Sequence, residues 1–164
     1  MKKYEAYLDI ETTGLSPIYS DITVIGIYLE NKEESILIQL IGKEITSYNL
    51  LYIIEKVHTI YTYNGSRFDL PFIHSKLGID LEKHVLHEDL MYRCWERGLY
   101  GGLKKVEEKL GIERKLKEVN GRIAVILWYR YTKHNDYNAL NLLLEYNRED
   151  VMNLKTLREK LYGF

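Results

Sequence analysis

The sequence predicts an α/β protein built on one mixed β-sheet, with three antiparallel N-terminal strands, further parallel strands, and helices on the faces. Three observations carry this. Alternating, β-branched runs separated by polar turns open the chain, a strand–helix–strand order follows them, and a long helix with an apolar stripe closes it. The 164 residues, 46% hydrophobic and 29% charged, suit one domain over 1–164 with a substantial core.

Residues 4–10 alternate as a strand does, and 22–29 and 35–41 are β-branched runs joined by Asn31, Lys32, Glu33 and Glu34. Gly14, Pro17 and Ser20 mark a loop between the first two strands. Residues 45–57 read as a helix through Leu50, Leu51, Ile54 and Val57, and 58–63 as a buried fourth strand, implying a right-handed crossover. A helix over 69–77 is closed by Gly78. Residues 85–90 read as a fifth strand ending in Glu88 and Asp89, with Asp89 a helix cap or an acid supporting a site, and 91–97 as a short helical piece. A helix over 103–110 stops at Gly111. The last helix is capped by Asn135 or Asp136 and runs to about Leu161, its core stripe made by Leu140, Leu143, Leu144, Val151, Leu154 and Leu157.

Bulk properties narrow the functional classes. Twenty-three basic against 24 acidic residues leave a net charge of −1, so binding to a polyanion has to be local. The single cysteine, Cys94, excludes an internal disulfide and a Cys-rich zinc cluster and reads as a core thiol. Glu5 and Asp9 interrupt any export signal behind Lys2 and Lys3, and the apolar run 123–129 falls well short of the roughly 20 residues of a membrane span. The expectation is a cytoplasmic protein without a membrane partner.

Three stretches carry chemistry. In Asp9-Ile10-Glu11-Thr12-Thr13-Gly14-Leu15 the two acids stand two apart on a strand, hence on one face, where they repel each other unless a cation joins them. In Tyr63-Asn64-Gly65-Ser66-Arg67-Phe68-Asp69 a strand ends, turns, and delivers Asp69 to the first turn of a helix, where it is either a cap or a ligand. Tyr146 and Asp150, four apart on the last helix, share a face. Between Gly101 and Lys133, nine Lys or Arg residues, among them Lys104, Lys105, Arg114, Lys115, Lys117 and Arg122, stand against four Glu. That stretch is either a solvated helical surface or a phosphate-tracking face.

Taken together, the three stretches resemble the motifs of the DEDD superfamily of exonucleases, whose fold is ribonuclease H-like. Tyr146 four before Asp150 is similar to the DEDDy branch; the histidine branch would carry His at the place of Glu145. The stretch from Leu103-Lys104-Lys105-Val106-Glu107 to Leu110-Gly111-Ile112, with Gly121 and Ala124, is similar to the bacterial and archaeal YprB-like subgroup. The resemblance implies a 3′-to-5′ exonuclease that takes single-stranded or frayed 3′ ends of DNA or RNA and releases nucleoside 5′-monophosphates. It implies two divalent metal ions, with Asp9 bridging both, Glu11 and Asp150 on the ion that activates water, Asp69 supporting the other, and Tyr146 orienting that water or helping to deprotonate it. Thr12, Thr13, Leu15, Asn64 and Phe68 would then hold the terminal nucleotide, although Leu15 and Phe68 are equally readable as core. Four carboxylates without thiolate or imidazole favour Mg²⁺ or Mn²⁺ over zinc. The alternatives are a ribonuclease H-type endonuclease and a non-catalytic nucleic-acid-binding or interaction domain on the same scaffold.

Overall fold

The computed structural model describes residues 1–163. Its sheet has the strand order β3-β2-β1-β4-β5, with β1 (Tyr4–Thr12) central. β2 (Ile22–Glu30) runs antiparallel to β1, and β3 (Ser35–Ile41) antiparallel to β2. β4 (Val57–Thr62) and β5 (Leu86–Asp89) add in parallel on the other side. This is the mixed α/β sheet the strand pattern predicts, with ends moved by a residue or two.

β1 extends past the expected Ile10, so Asp9 and Glu11 lie inside the ladder, paired with Gly26 and Val24. The register shifts between Glu11 and Thr12, an irregularity that bends the strand where the acids emerge. Alternation along β1 sorts the two faces. Ala6, Leu8 and Ile10 enter a large apolar core with Ile25, Ile27, Leu50, Ile54, Phe72 and Ile73, under α1 (Ser47–Ile54) and α2 (Asp69–Leu77). Tyr7, Asp9 and Glu11 turn to the other face, covered by α6 (Tyr137–Tyr162), whose Val151, Leu154 and Leu157 pack with Tyr7.

Local chemistry sets the helix ends. Thr46 caps α1 by accepting the Asn49 N–H at 3.1 Å, which starts that helix later than the expected residue 45; it also ends earlier, at Ile54. Gly78 and Gly111 close α2 and α4 (Leu103–Leu110) in the left-handed conformation at φ 68° and 69°. Asp136 caps α6 through the Ala139 N–H at 3.0 Å. Asp89 caps α3 (Leu90–Glu96) through Met91 N–H at 3.1 Å, and it also accepts Asn64 N–H at 2.8 Å and Ser66 N–H at 3.1 Å. One carboxylate thereby ties the β4–α2 loop to β5. Cys94 is buried in the core.

One helix is new relative to the sequence reading. α5 (Gly121–His134) is capped by Asn120, which accepts Ile123 N–H at 2.9 Å, and it ends at Asn135 with φ 52°. Its apolar run over 123–129 is unbroken and rich in residues of low helix propensity, which blurs the inward stripe in the sequence. Ala124 and Leu127 face inward, packing with Val24, Leu143 and Tyr146. Among the described residues no helix is long and apolar enough to cross a membrane.

Candidate active site

α6 lies across the sheet face that carries Asp9 and Glu11, and it brings Tyr146 and Asp150 down onto them. Asp9, Glu11 and Asp150 each offer one carboxylate oxygen, all within 4.8 Å of one another. Two unit charges at that spacing repel by about 3–4 kcal/mol at an effective dielectric of 20. The repulsion and the burial act in the same direction. Burial first, then the charges of Asp150, Glu11 and Asp69, pushes Asp9 well above the carboxylate range. Burial and Asp150 push Glu11 to about 8. Asp150 rises to about 6 by burial, with Arg114 pulling against the rise. Glu11 Oε1 is buried with no hydrogen-bond partner. An orphaned carboxylate oxygen among like charges is the donor set a hard divalent cation satisfies, so these residues fit such an ion.

Asp69 stands beside this trio rather than in it. It is the first residue of α2, and its Oδ2 accepts the Ile10 N–H of β1 at 3.0 Å. Burial lifts it to about 7, against the pull of the backbone N–H groups of Ile10 and of Asp69 itself. Tyr146 is buried, and its phenol is raised, first by burial and then by the charges of Asp150, Glu11 and Asp9. It therefore stays protonated at neutral pH.

An open cleft of about 260 Å³ runs over the acids, lined by Asp9, Glu11, Tyr146 and Asp150 together with Thr12, Leu15 and Phe68. Leu15 is 87% exposed, which removes it from the core. Phe68 is half-buried and packs on Phe72 with ring centroids 5.4 Å apart. Thr12 Oγ1 donates to Gly14 O at 2.6 Å. Thr13 and Asn64 do not line this cleft. Thr13 Oγ1 accepts Asp21 N–H at 2.9 Å, and Asn64 takes up a left-handed turn at φ 61°. Gly121 and Val125 of the unforeseen α5 form part of the cleft wall.

Two groups of residues at the site have no role in the sequence reading. Asn147, fully buried, donates to the Asp9 carbonyl at 3.2 Å and leans on Asp9 Oδ2 at 3.4 Å, while Gln39 Nε2 donates to its Oδ1 at 3.0 Å. It reaches Asp9 through the space opened by Gly26, the cross-strand partner of Asp9; a Cβ there would stand 2.1 Å from Asn147 Oδ1. A lone glycine inside an apolar strand was the available signal of such a close approach. The second group is Arg114, whose Nη2 lies 2.6 Å from Asp150 Oδ1. Arg114 is buried, which corrects its place in an exposed basic stretch; Lys104 is half-buried, donates to Val119 O and lies 5.2 Å from the Tyr146 ring centroid. Lys105, Lys109, Lys115, Lys117 and Arg122 are exposed.

A family model described as the RNase_H superfamily matches residues 6–162. The uncharacterized protein YprB of Bacillus subtilis (strain 168) is 27% identical over 176 residues, covering 92% of this chain and 40% of YprB. The family B DNA polymerase from the hyperthermophilic archaeon Pyrobaculum calidifontis is similar with a TM-score of 0.73 at 17% identity, over 99% of this chain and 25% of the polymerase. The apo form of a nuclease gives 0.65 at 20% identity, over 97% of this chain and 72% of that one. Product-bound exonuclease I gives 0.51 at 16% identity, over 88% and 46%. At these identities the structural likeness is one of fold, and this chain spans well under half of YprB and a quarter of the polymerase. The family match extends from the first strand to the end of the last helix, so the chain belongs to the RNase_H superfamily.

Proposed function

We propose that this chain is a single metal-dependent nuclease domain of the DEDDy kind, a 3′-to-5′ exonuclease acting on single-stranded or frayed ends of DNA or RNA. The observation that carries this reading is the convergence of Asp9, Glu11 and Asp150 beneath a cleft that Tyr146 also lines. Asp9, Glu11 and Asp150 would hold divalent cations, with Asp69 alongside. Bound there, Mg²⁺ or Mn²⁺ would supply a water acidified toward neutral pH and positive charge for the attacking and leaving oxygens. Tyr146, kept protonated by burial and then by its acidic neighbours, orients the attacking water as a hydrogen-bond donor rather than taking its proton. Thr12, Leu15 and Phe68 line the place for the terminal nucleotide, while Thr13 and Asn64, outside the cleft lining, shape their own loops. The Phe68 ring offers a stacking surface that does not read sequence, and the exposed Leu15 side chain offers apolar contact beside it.

The test is hydrolysis of 5′-labelled single-stranded DNA and RNA oligonucleotides with Mn²⁺, Mg²⁺ or EDTA, by wild type and by Asp9→Asn. A ladder descending from the 3′ end, lost with EDTA and with the variant, is expected. Cutting of a circular single strand would replace the exonuclease with an endonuclease, and binding without turnover in Mn²⁺ would reduce the domain to a binding module.

A further inference from the structure

Arg114 lies on the segment between α4 and α5, which packs against α6 at Glu149 and Asp150, and it is 7% exposed. Its guanidinium is held by a two-pronged contact to Glu107 of α4, Nε to Oε2 at 3.0 Å and Nη2 to Oε1 at 2.6 Å. Glu107 is itself 1% exposed and is steadied by Asn153 Nδ2 at 2.9 Å from α6. The neighbouring Glu149 accepts Lys115 N–H at 2.7 Å and Leu116 N–H at 3.0 Å, which pins the main chain just after Arg114, and it lies 3.7 Å from Arg114 Nη1. Arginine, acid and backbone thus form a rigid bracket. The bracket touches the candidate cation site at one atom, Asp150 Oδ1.

We propose that Arg114 is a positioning residue for the cation site: it holds Asp150 by Oδ1 and turns the other carboxylate oxygen toward Asp9 and Glu11. The proposal rests on the nuclease reading above and extends it to a residue outside the acid set. Two simpler roles fit the geometry less well. As a clip for the loop, Arg114 needs nothing beyond Glu107, whose two oxygens already occupy one edge of the fork. As a diffuse counter-charge, it needs no fork held rigid from two helices; a lysine on the same loop would serve. Groups that orient a ligand's second oxygen are worth about 10–100-fold in metal affinity.

The decisive experiment is a Mn²⁺ binding isotherm, read from the paramagnetic resonance signal of free Mn²⁺, on wild type, Arg114→Lys, Arg114→Gln and Glu107→Gln. Each variant is kept below its own melting temperature. Positioning predicts Mn²⁺ binding weakened by about 10-fold or more in Arg114→Lys and Arg114→Gln alike, because lysine keeps the charge and loses the fork. Glu107→Gln, which leaves the arginine in place but loosens it, weakens binding in the same direction. Unaltered binding in Arg114→Lys overturns the proposal, and tighter binding overturns it too, by making Arg114 an internal cation that the metal displaces. Should Arg114→Gln not fold, Arg114→Lys and Glu107→Gln carry the same decision. A wild type that takes up no Mn²⁺ removes the nuclease reading along with this one, whereas normal wild-type uptake with an indifferent Arg114→Lys removes this one alone.

Discussion

Two arginines stand at opposite ends of the sheet face that α6 covers, Arg158 on α6 itself and Arg114 on the segment between α4 and α5. Arg158, near the end of α6, pairs with Glu5 at 2.6 Å, donates to Tyr7 Oη at 3.1 Å, and lays its guanidinium on the Tyr61 ring 4.0 Å from the centroid. Arg114 faces Glu107, Glu149 and Asp150, with Asp9 and Glu11 just beyond. The first arrangement matches a cation to an acid, a tyrosine hydroxyl and an aromatic ring, as structural packing requires. The second gathers more buried carboxylate than one guanidinium can neutralise. Such a surplus is costly for stability alone, and under the proposed function a bound cation would complete it.

The comparison can be broken most sharply at its acidic end. Asp9→Asn is expected to lower hydrolysis by about 10³-fold or more, the scale of removing a preorganised charge from a catalytic centre. It should also raise the melting temperature of the metal-free protein, because it relieves repulsion; a variant that lost activity and stability together would make Asp9 structural. Next in size, Gly26→Ala drives a methyl into Asn147 and away from Asp9, at an expected cost of about 1–3 kcal/mol, read from denaturant unfolding. Asn147→Ala should lower activity without that clash, and combining the two should cost less than their sum. At the balanced end, Arg158→Ala is expected to lose about 1–2 kcal/mol through ring packing and the ion pair, with turnover unchanged.

Stability should also depend on pH. Glu11 is raised from its ordinary 4.5 to about 8, so between these values the unfolded chain releases a proton that the folded chain retains. Folding stability without divalent cation therefore falls as pH rises across that window and levels off above it. Glu11→Gln should flatten the fall by a few degrees of melting temperature, and Mn²⁺ should restore the wild type most strongly at the upper end. Equal pH slopes for the two proteins would show that Glu11 is not held protonated by its neighbours.

What could be read along the chain was what depends on local period. A strand places Asp9 and Glu11 on one face, a helix places Tyr146 beside Asp150, and glycine ends α2 and α4, because each rests on spacing of at most four residues. The antiparallel start and the mixed sheet followed from the same patterns, while α5 escaped because an unbroken apolar run blurs its inward stripe. Tertiary structure alone decided the rest. It put Asp69 against the Ile10 amide instead of among the other acids, gave Asp89 the amides of Asn64 and Ser66 beyond its local helix cap, and opened the gap at Gly26 that Asn147 fills. It also turned Arg114 from an apparently solvated basic residue into a buried partner of Asp150. These contacts join residues tens to more than a hundred positions apart. Their energies depend on distance and burial, which a sequence pattern does not carry.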